Sequence, residues 1–422
     1  MHKPTGLAPT TPKNPTTSPA EGDTTLRPPA PSPAQETAHR QGGDLRAYSA
    51  GQISLDLSVC HNRYGPPRHV LNSIQELLAQ RPEDLAPPPY GCEEPYLEAF
   101  AEHLGGVSPD DLLPGRGVTE FLTVLARVLS SSVRGGSLLS RLSRLAGRGR
   151  SGDVLWRLAR GGVGVIAPDY TETMNLFHYA DFHSPDVLQQ DSAEQRLHRL
   201  RQAMARHTGG AVILSNPCNP TGIFLTREDL LHAAAEHRST LLVVDEEYLG
   251  LRGGPELGLA GTDLDNVVVL QSVGKSYGMV GVRAGVLWTC NDQFRQRIAS
   301  QLIRWPLSLL DAQVATAALH DKVWLAVTRA AIHDDAARLQ NALTSVFGAR
   351  VVKSQLHYRF VHLHDPLPVV EHLTNCGIAV RAFTKGGPRV SGMRVAAPKG
   401  PQELALLTDA LVTLPSAWAD AA

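Results

Sequence analysis

No apolar run in this 422-residue chain approaches the roughly 18–20 residues that a membrane span requires. Runs such as AVIL (211–214) and NVVVL (266–270) are strand-sized, so no membrane role is expected. Cysteine is scarce. Its five residues (60, 92, 218, 290 and 376) are odd in number and scattered, which argues against a disulfide framework and offers no metal-type spacing. They fit a reducing compartment. Neither charge sign dominates: 40 basic against 41 acidic side chains leave a net charge of −1. Such a balance gives no global field to hold nucleic acid or an anionic membrane surface. The first residues lack the apolar stretch of a signal peptide, so the expected location is the cytoplasm. What the chain does have is 42% hydrophobic residues, enough for a substantial core and too many for wholesale disorder. Its length suits two or three domains, or one large α/β unit with an appendage.

Residues 1–46 hold nine prolines among Thr, Ser and Ala, with almost no large apolar side chain. Such a stretch buries too little to offset its chain entropy, and it reads as a disordered tail, with order beginning near Ser49–Leu57. From about Leu85 to Cys290 the pattern alternates between helical stretches and short, β-branched, continuously apolar runs. The runs are GVGVIAP (162–168), AVILS (211–215), LLVVD (241–245), VVVLQS (267–272) and AGVLW (284–288). Strands buried on both faces of a mostly parallel sheet have this appearance. Thr226, with Asp229 three residues on, is placed as the N-cap of a helix between two of them. The fold class is therefore α/β, a sheet covered by helices. Residues 131–160 break the rhythm. They carry seven arginines (134, 141, 144, 148, 150, 157 and 160) against Asp153 alone, and Leu138, Leu142 and Leu145 share one helical face. This is an insertion, read either as a solvated basic excursion or as a basic flap near a ligand site.

Polar residues gather where the apolar runs end, and open α/β sheets bind ligands at the carboxyl ends of their strands. AVILS runs into Asn216-Pro217-Cys218-Asn219-Pro220-Thr221-Gly222. LLVV ends in Asp245-Glu246-Glu247-Tyr248, and GVIAP ends in Asp169-Tyr170. VVVLQS leads to Ser272-Val273-Gly274-Lys275 and on to Gly278, Gly281 and Arg283. Each piece alone is weak. Together, each after a buried strand, they indicate one convergent site.

NPCNPTG, DEEY and SVGKSYGMVGVR, in this order and spacing, resemble the fold-type I pyridoxal-phosphate enzymes of aminotransferase class I/II. The histidinol-phosphate aminotransferase-like branch is the nearest, and the resemblance covers roughly residues 50–415. It implies a large cofactor-binding domain over 91–305, interrupted by the 131–160 insertion. A smaller α/β domain would be built from an N-terminal segment (47–90) and the C-terminal part (306–422). By the same resemblance Lys275 is the Schiff-base lysine, since this chemistry needs an amine to hold the aldehyde and then shuttle a proton. Asp245 matches the carboxylate that keeps the pyridine nitrogen protonated. Asn219 and Tyr248 match the partners of the ring oxygen, and Tyr170 the aromatic stacked on the ring face. For the phosphate, Val118 and Thr119 open a helix after Gly115-Arg116-Gly117, while Ser272 and Arg283 supply side chains. Tyr90 matches a tyrosine that reaches the phosphate of a neighbouring subunit, which implies a homodimer. Arg394 matches the arginine that grips the substrate carboxylate, and Arg381 a second anion contact.

The segment Ser58-Val59-Cys60-His61-Asn62-Arg63-Tyr64-Gly65-Pro66-Pro67 departs from the family's usual Asn-Glu-Asn-Pro-Tyr-Gly type of run. His61 and Arg63 stand where an acidic residue and a proline are usual, beside the substrate, and Thr119 replaces the usual acidic residue of the phosphate helix. These departures point away from histidinol phosphate and toward a tailored amino acid or amino acid-derived substrate in specialised metabolism. The expected activity is an aminotransferase taking amino acids and 2-oxo acids. Decarboxylase, elimination or replacement enzyme and cyclase stay open on the same scaffold, because the sequence does not show which bond at Cα is oriented for cleavage. A regulator that binds the cofactor would need a DNA-binding module, which residues 1–46 do not supply.

Overall fold

The computed structural model describes residues 42–134, 161–186, 191–384, 390–415 and 418. Most of the expected tail and insertion thus lies outside the described residues. The strands, numbered along the chain, begin with β1 (Leu55–Asp56), β2 (Leu112–Gly115), β3 (Val163–Ile166) and β4 (Asp181–His183). β5 (Ala211–Ser215), β6 (Leu241–Asp245), β7 (Val267–Ser272) and β8 (Gly285–Trp288) follow. Last come β9 (Tyr358–His362), β10 (Ile378–Ala379), β11 (Arg381–Phe383) and β12 (Gly392–Ala396).

Seven strands form one sheet in the order β2-β8-β7-β6-β5-β3-β4. Neighbours from β4 to β7 run parallel, while β8 is antiparallel to both β7 and β2. The five apolar runs of the sequence land on β3 and β5–β8. Every residue of β3, β5, β6 and β8 is buried, as a doubly covered sheet demands. The edge strands β2 and β4 were not legible, because β2 contains Pro114 and β4 is short and partly exposed. Helix Arg227–Glu236 starts where the sequence predicts, with Thr226 Oγ1 accepting from Asp229 N–H at 3.2 Å. Among the described residues no helix is long and apolar enough to cross a membrane.

The chain visits β3, then β4 at the edge, then returns to β5 on β3's other side before moving on to β6 and β7. Connections therefore leave β3 and β5 in opposite directions, which opens a crevice at their carboxyl ends. A fully buried ion pair closes the floor of this crevice. Arg196 Nη2 meets Asp169 Oδ2 at 3.1 Å, with both side chains wholly out of solvent. The guanidinium also donates to the carbonyls of Pro168 and Ser215, and Asp169 accepts from the backbone N–H of Ser215 and Tyr170.

A second core lies beside the first. β9, β12 and β11 form an antiparallel sheet, and β1 pairs with β10 in parallel. Helix Lys322–Phe347 joins the two cores, since Leu325 packs with the large sheet while Ile332, Leu339, Leu343 and Phe347 pack with the small one. Helices Arg68–Gln80 and Leu309–His320 pack against each other, and Val70, Ala312 and Ala315 belong to the large core. The sequence had assigned both stretches to the smaller unit, whereas Leu55, Leu57 and Cys60 are the N-terminal residues that do pack there. Residues 42–46, assigned to the tail, are tied in by Gly43 N–H donating to Ser58 Oγ at 2.8 Å.

Removing Arg196 leaves a buried, uncompensated carboxylate. Arg196→Met should lower the unfolding free energy by about 3–5 kcal/mol in denaturant titration. Arg206→Met, which removes an exposed pair with Asp181, should change it by less than about 1 kcal/mol. Equal losses in the two variants would refute this role for the buried pair.

Candidate active site

A cleft open to solvent lies over the carboxyl ends of the large sheet and under the small one. Tyr170 reaches it from the end of β3 and Asn219 from the turn after β5. Asp245, Glu247 and Tyr248 enter from β6, and Ser272, Lys275 and Arg283 from β7 and the segment beyond. Gly117, Val118 and Thr119, at the start of helix Val118–Arg134, close one end. From the smaller unit come Arg381, Phe383 and Arg394, together with Ser58–Cys60.

Asp245 is buried at the last position of β6 and accepts from Glu247 N–H at 3.0 Å. Burial, and then the neighbouring Glu247, push its carboxyl well above the ordinary range. A cationic N–H partner would remove that penalty. Lys275 is pushed the other way: burial lowers its amine, Arg394 and Arg283 add to the effect, and Glu247 opposes it. A larger neutral fraction makes it a better nucleophile and base. Burial likewise raises the Tyr248 phenol well above 10, so it stays a protonated donor.

Arg394 is buried and donates through Nη1 to Asn219 Oδ1 at 2.5 Å and through Nη2 to the Ser58 carbonyl at 3.1 Å. Its guanidinium lies 5.5 Å from the Tyr358 ring centre and 5.9 Å from that of Phe383. Its Nε has no hydrogen-bond partner. Arg381 sits directly opposite Arg394 in the β11–β12 register, 5.7 Å from the same Phe383 ring. At the other end Gly117 has a φ of +77°, and a Cβ there would lie 3.1 Å from Arg283 Nη2. Glycine therefore lets the backbone turn left-handed and expose helix N–H groups beside a guanidinium.

Eleven of the sequence-predicted positions meet in this cleft: Val118, Thr119, Tyr170, Asn219, Asp245, Tyr248, Ser272, Lys275, Arg283, Arg381 and Arg394. Two do not line it. Tyr90 is 73% exposed and packs edge-on against Trp305, with ring centres 5.6 Å apart. His61 lies behind the wall with its Nδ1 buried and unpartnered, and burial lowers its pKa. Arg63, expected beside the substrate, instead pairs with Glu403 at 2.7 Å and donates to the Asp56 carbonyl, because helix Gly400–Val412 supplies a closer anionic partner. Sequence reasoning missed Glu247, Cys60 and Phe383. Glu247 had a signal: it is a second acid in the turn that leaves β6 immediately after Asp245.

The donor set fits pyridoxal phosphate. Asp245 suits a protonated ring nitrogen, and Asn219 and Tyr248 suit a ring oxygen. Tyr170 offers a ring face, and Lys275 a free amine. The Gly117 cradle with Ser272 and Arg283 suits a phosphate. Glu247 is the discordant member, an acid at the phosphate end.

A histidinol-phosphate aminotransferase of Rhizobium meliloti is 30% identical over 197 residues, 46% of this chain and 55% of that protein. The match thus spans about half of that relative's length. One from Mycobacterium tuberculosis is 27% identical over 346 residues, 82% of either chain. The solved histidinol-phosphate aminotransferase of Sinorhizobium meliloti, in complex with pyridoxal-5'-phosphate, superposes with a TM-score of 0.65. It is 20% identical, over 85% of this chain and 90% of that one, a likeness of fold. The family model described as aminotransferase class I and II matches residues 152–405, more than half of the sequence. The chain belongs to the aminotransferase class I and II family.

Proposed function

We propose that this protein is a pyridoxal-phosphate-dependent aminotransferase acting on an amino acid or amino acid-derived substrate. The observation that carries this reading is the convergence of Lys275, Asp245, Asn219 and Arg394, from distant parts of the chain, on one cleft. When bound, the cofactor supplies an aldehyde that condenses with amines and a ring that accepts electrons from the substrate's Cα.

The chain's own residues then have separable tasks. Asp245 holds a negative charge where a ring nitrogen must keep its proton. Tyr248 and the amide of Asn219 donate toward the ring oxygen, and Tyr170 covers one face. Lys275 would hold the aldehyde in the resting protein and, once released, would be the base that carries a proton to and from the substrate's Cα. Arg394 binds the substrate carboxylate in a planar fork. Its bond to Asn219 Oδ1 couples substrate binding to the group that contacts the ring oxygen. Arg381, across the strand pair, suits a second anionic group on the substrate. Ser58, Val59 and Cys60, the part of the departing segment that lines the cleft, support a substrate outside the histidine pathway, in specialised metabolism.

We also infer a homodimer. Leu71 and Leu78 on helix Arg68–Gln80, Leu310 on the helix packed against it, and Tyr90 with its neighbour Trp305 expose large apolar side chains. A second copy covering them would bring Tyr90 to the partner's phosphate end.

Three measurements test this reading. Borohydride reduction of the pyridoxal-phosphate-loaded protein, followed by peptide mapping, should place the label on Lys275; label on another lysine contradicts the assignment. Arg394→Leu should lower kcat/KM for amino acids at least about 30-fold, roughly 2 kcal/mol of lost binding, while cofactor retention persists. An unchanged kcat/KM would remove Arg394 from the substrate site. Sedimentation should give a dimer whose dissociation on dilution accompanies cofactor loss, and an active, fully loaded monomer would exclude the shared site.

A further inference from the structure

Glu247 has no task in the roles assigned above, yet its carboxylate lies within the cleft. Ser272 Oγ donates to its Oε1 at 2.7 Å, and the same hydroxyl accepts from Gly274 N–H at 3.1 Å. The other oxygen, Oε2, is buried with no hydrogen-bond partner. Lys275 and Arg283 line the same space, and the start of helix Val118–Arg134 closes it.

A serine hydroxyl has one proton to donate. On the cofactor reading proposed above, on which this inference rests, a phosphate dianion seats at Ser272 and Arg283. Its oxygens and Glu247 then compete for that single proton. If Ser272 turns to the phosphate, Glu247 loses its hydroxyl partner and keeps only the Ser272 backbone N–H, as a buried carboxylate next to a dianion. Burial makes that state highly unfavourable. A protonated Glu247 removes the conflict, because it carries a donor of its own.

We propose that Glu247 takes up a proton from solvent as the phosphate seats, and donates it from its carboxyl group to a phosphate oxygen. Cofactor loading is thereby linked to pH through this side chain. The charged and titratable groups around it account for the direction. Lys275 and Arg283, after β7, favour the ionised form in the free cleft, as does the Ser272 bond. Burial opposes them, and Asp245 on the same strand end acts with burial. Tyr96 of helix Glu93–His103, Tyr170 and Tyr248 also face the carboxylate, and each stays neutral because burial raises its phenol. Two further negative charges from the phosphate tip the balance toward protonation.

Pyridoxine 5'-phosphate tests this directly, because it has the ring and phosphate but no aldehyde to condense with Lys275. Calorimetric titration near pH 8, in two buffers of different ionisation enthalpy, counts the protons taken up on binding. Wild type should take up about one proton more per site than Glu247→Gln. Its affinity should also gain about tenfold more per unit of falling pH between about pH 7 and 9, where a phosphate monoester stays dianionic. Equal proton counts and equal slopes would overturn the proposal, since Glu247 would then remain ionised or swing onto Lys275 or Arg283. Glu247→Ala repeats the count should the glutamine variant fold poorly. If neither wild type nor variants bind pyridoxine 5'-phosphate at any pH, the cofactor reading itself fails and this proposal falls with it.

Discussion

The buried carboxylate of Asp169 ties together the two strands whose divergence opens the cleft. It accepts from Tyr170 N–H, from Ser215 N–H at the end of β5, and from Arg196, which also holds the Pro168 and Ser215 carbonyls. Cys218 adds a weak bond from Sγ to the Pro168 carbonyl. Two turns that leave the sheet in opposite directions are thus held at a set separation. Tyr170 and Asn219 descend from those turns, so the distance between their side chains across the cleft is set one layer below it. A buried pair of this kind gains little net stability over apolar packing, but it fixes geometry because each of its bonds is directional.

Charge in the cleft is divided along its length. Asp245 and Glu247 sit at the ends of buried strands, and Lys275, Arg283, Arg381 and Arg394 face them. Burial disfavours the charged forms of Asp245, Glu247 and Lys275, and the opposite charges of Glu247 and Lys275 partly offset it for each other. Burial is the main cause both of the upward shift of Asp245 and of the downward shift of Lys275. Arg394 is the best supported of the cations, held by an amide, a carbonyl and two aromatic faces.

The smaller unit is pinned to the larger one at the rim. Tyr358 Oη donates to the Cys218 carbonyl and Ser354 Oγ to that of Gly222, both in the turn that carries Asn219. Ala396 N–H meets the Leu57 carbonyl, which lays the N-terminal segment along β12. Arg394 and Asn219 therefore come from different sheets yet keep a hydrogen bond between them.

Much of this was readable from the chain alone. Continuous β-branched runs marked β3 and β5–β8, since a strand buried on both faces has no polar alternation to hide it. Lys275, Asp245 and Asn219 were singled out by the motifs that follow such strands, and Arg394 by its resemblance to a family arginine. Other features depended on partners far away in sequence. Arg63 turned to Glu403, 340 residues on, and Glu247 found Ser272 on the neighbouring strand. Tyr90 came to lie on Trp305, outside the cleft of its own chain. The local pattern of the sequence determined which segments become strands and where their polar ends fall, because hydrophobic burial and backbone preference act over a few residues. The tertiary structure decided which acid meets which base and which side chain faces the cleft, because pairing of charges and hydrogen bonds is settled by distance in space.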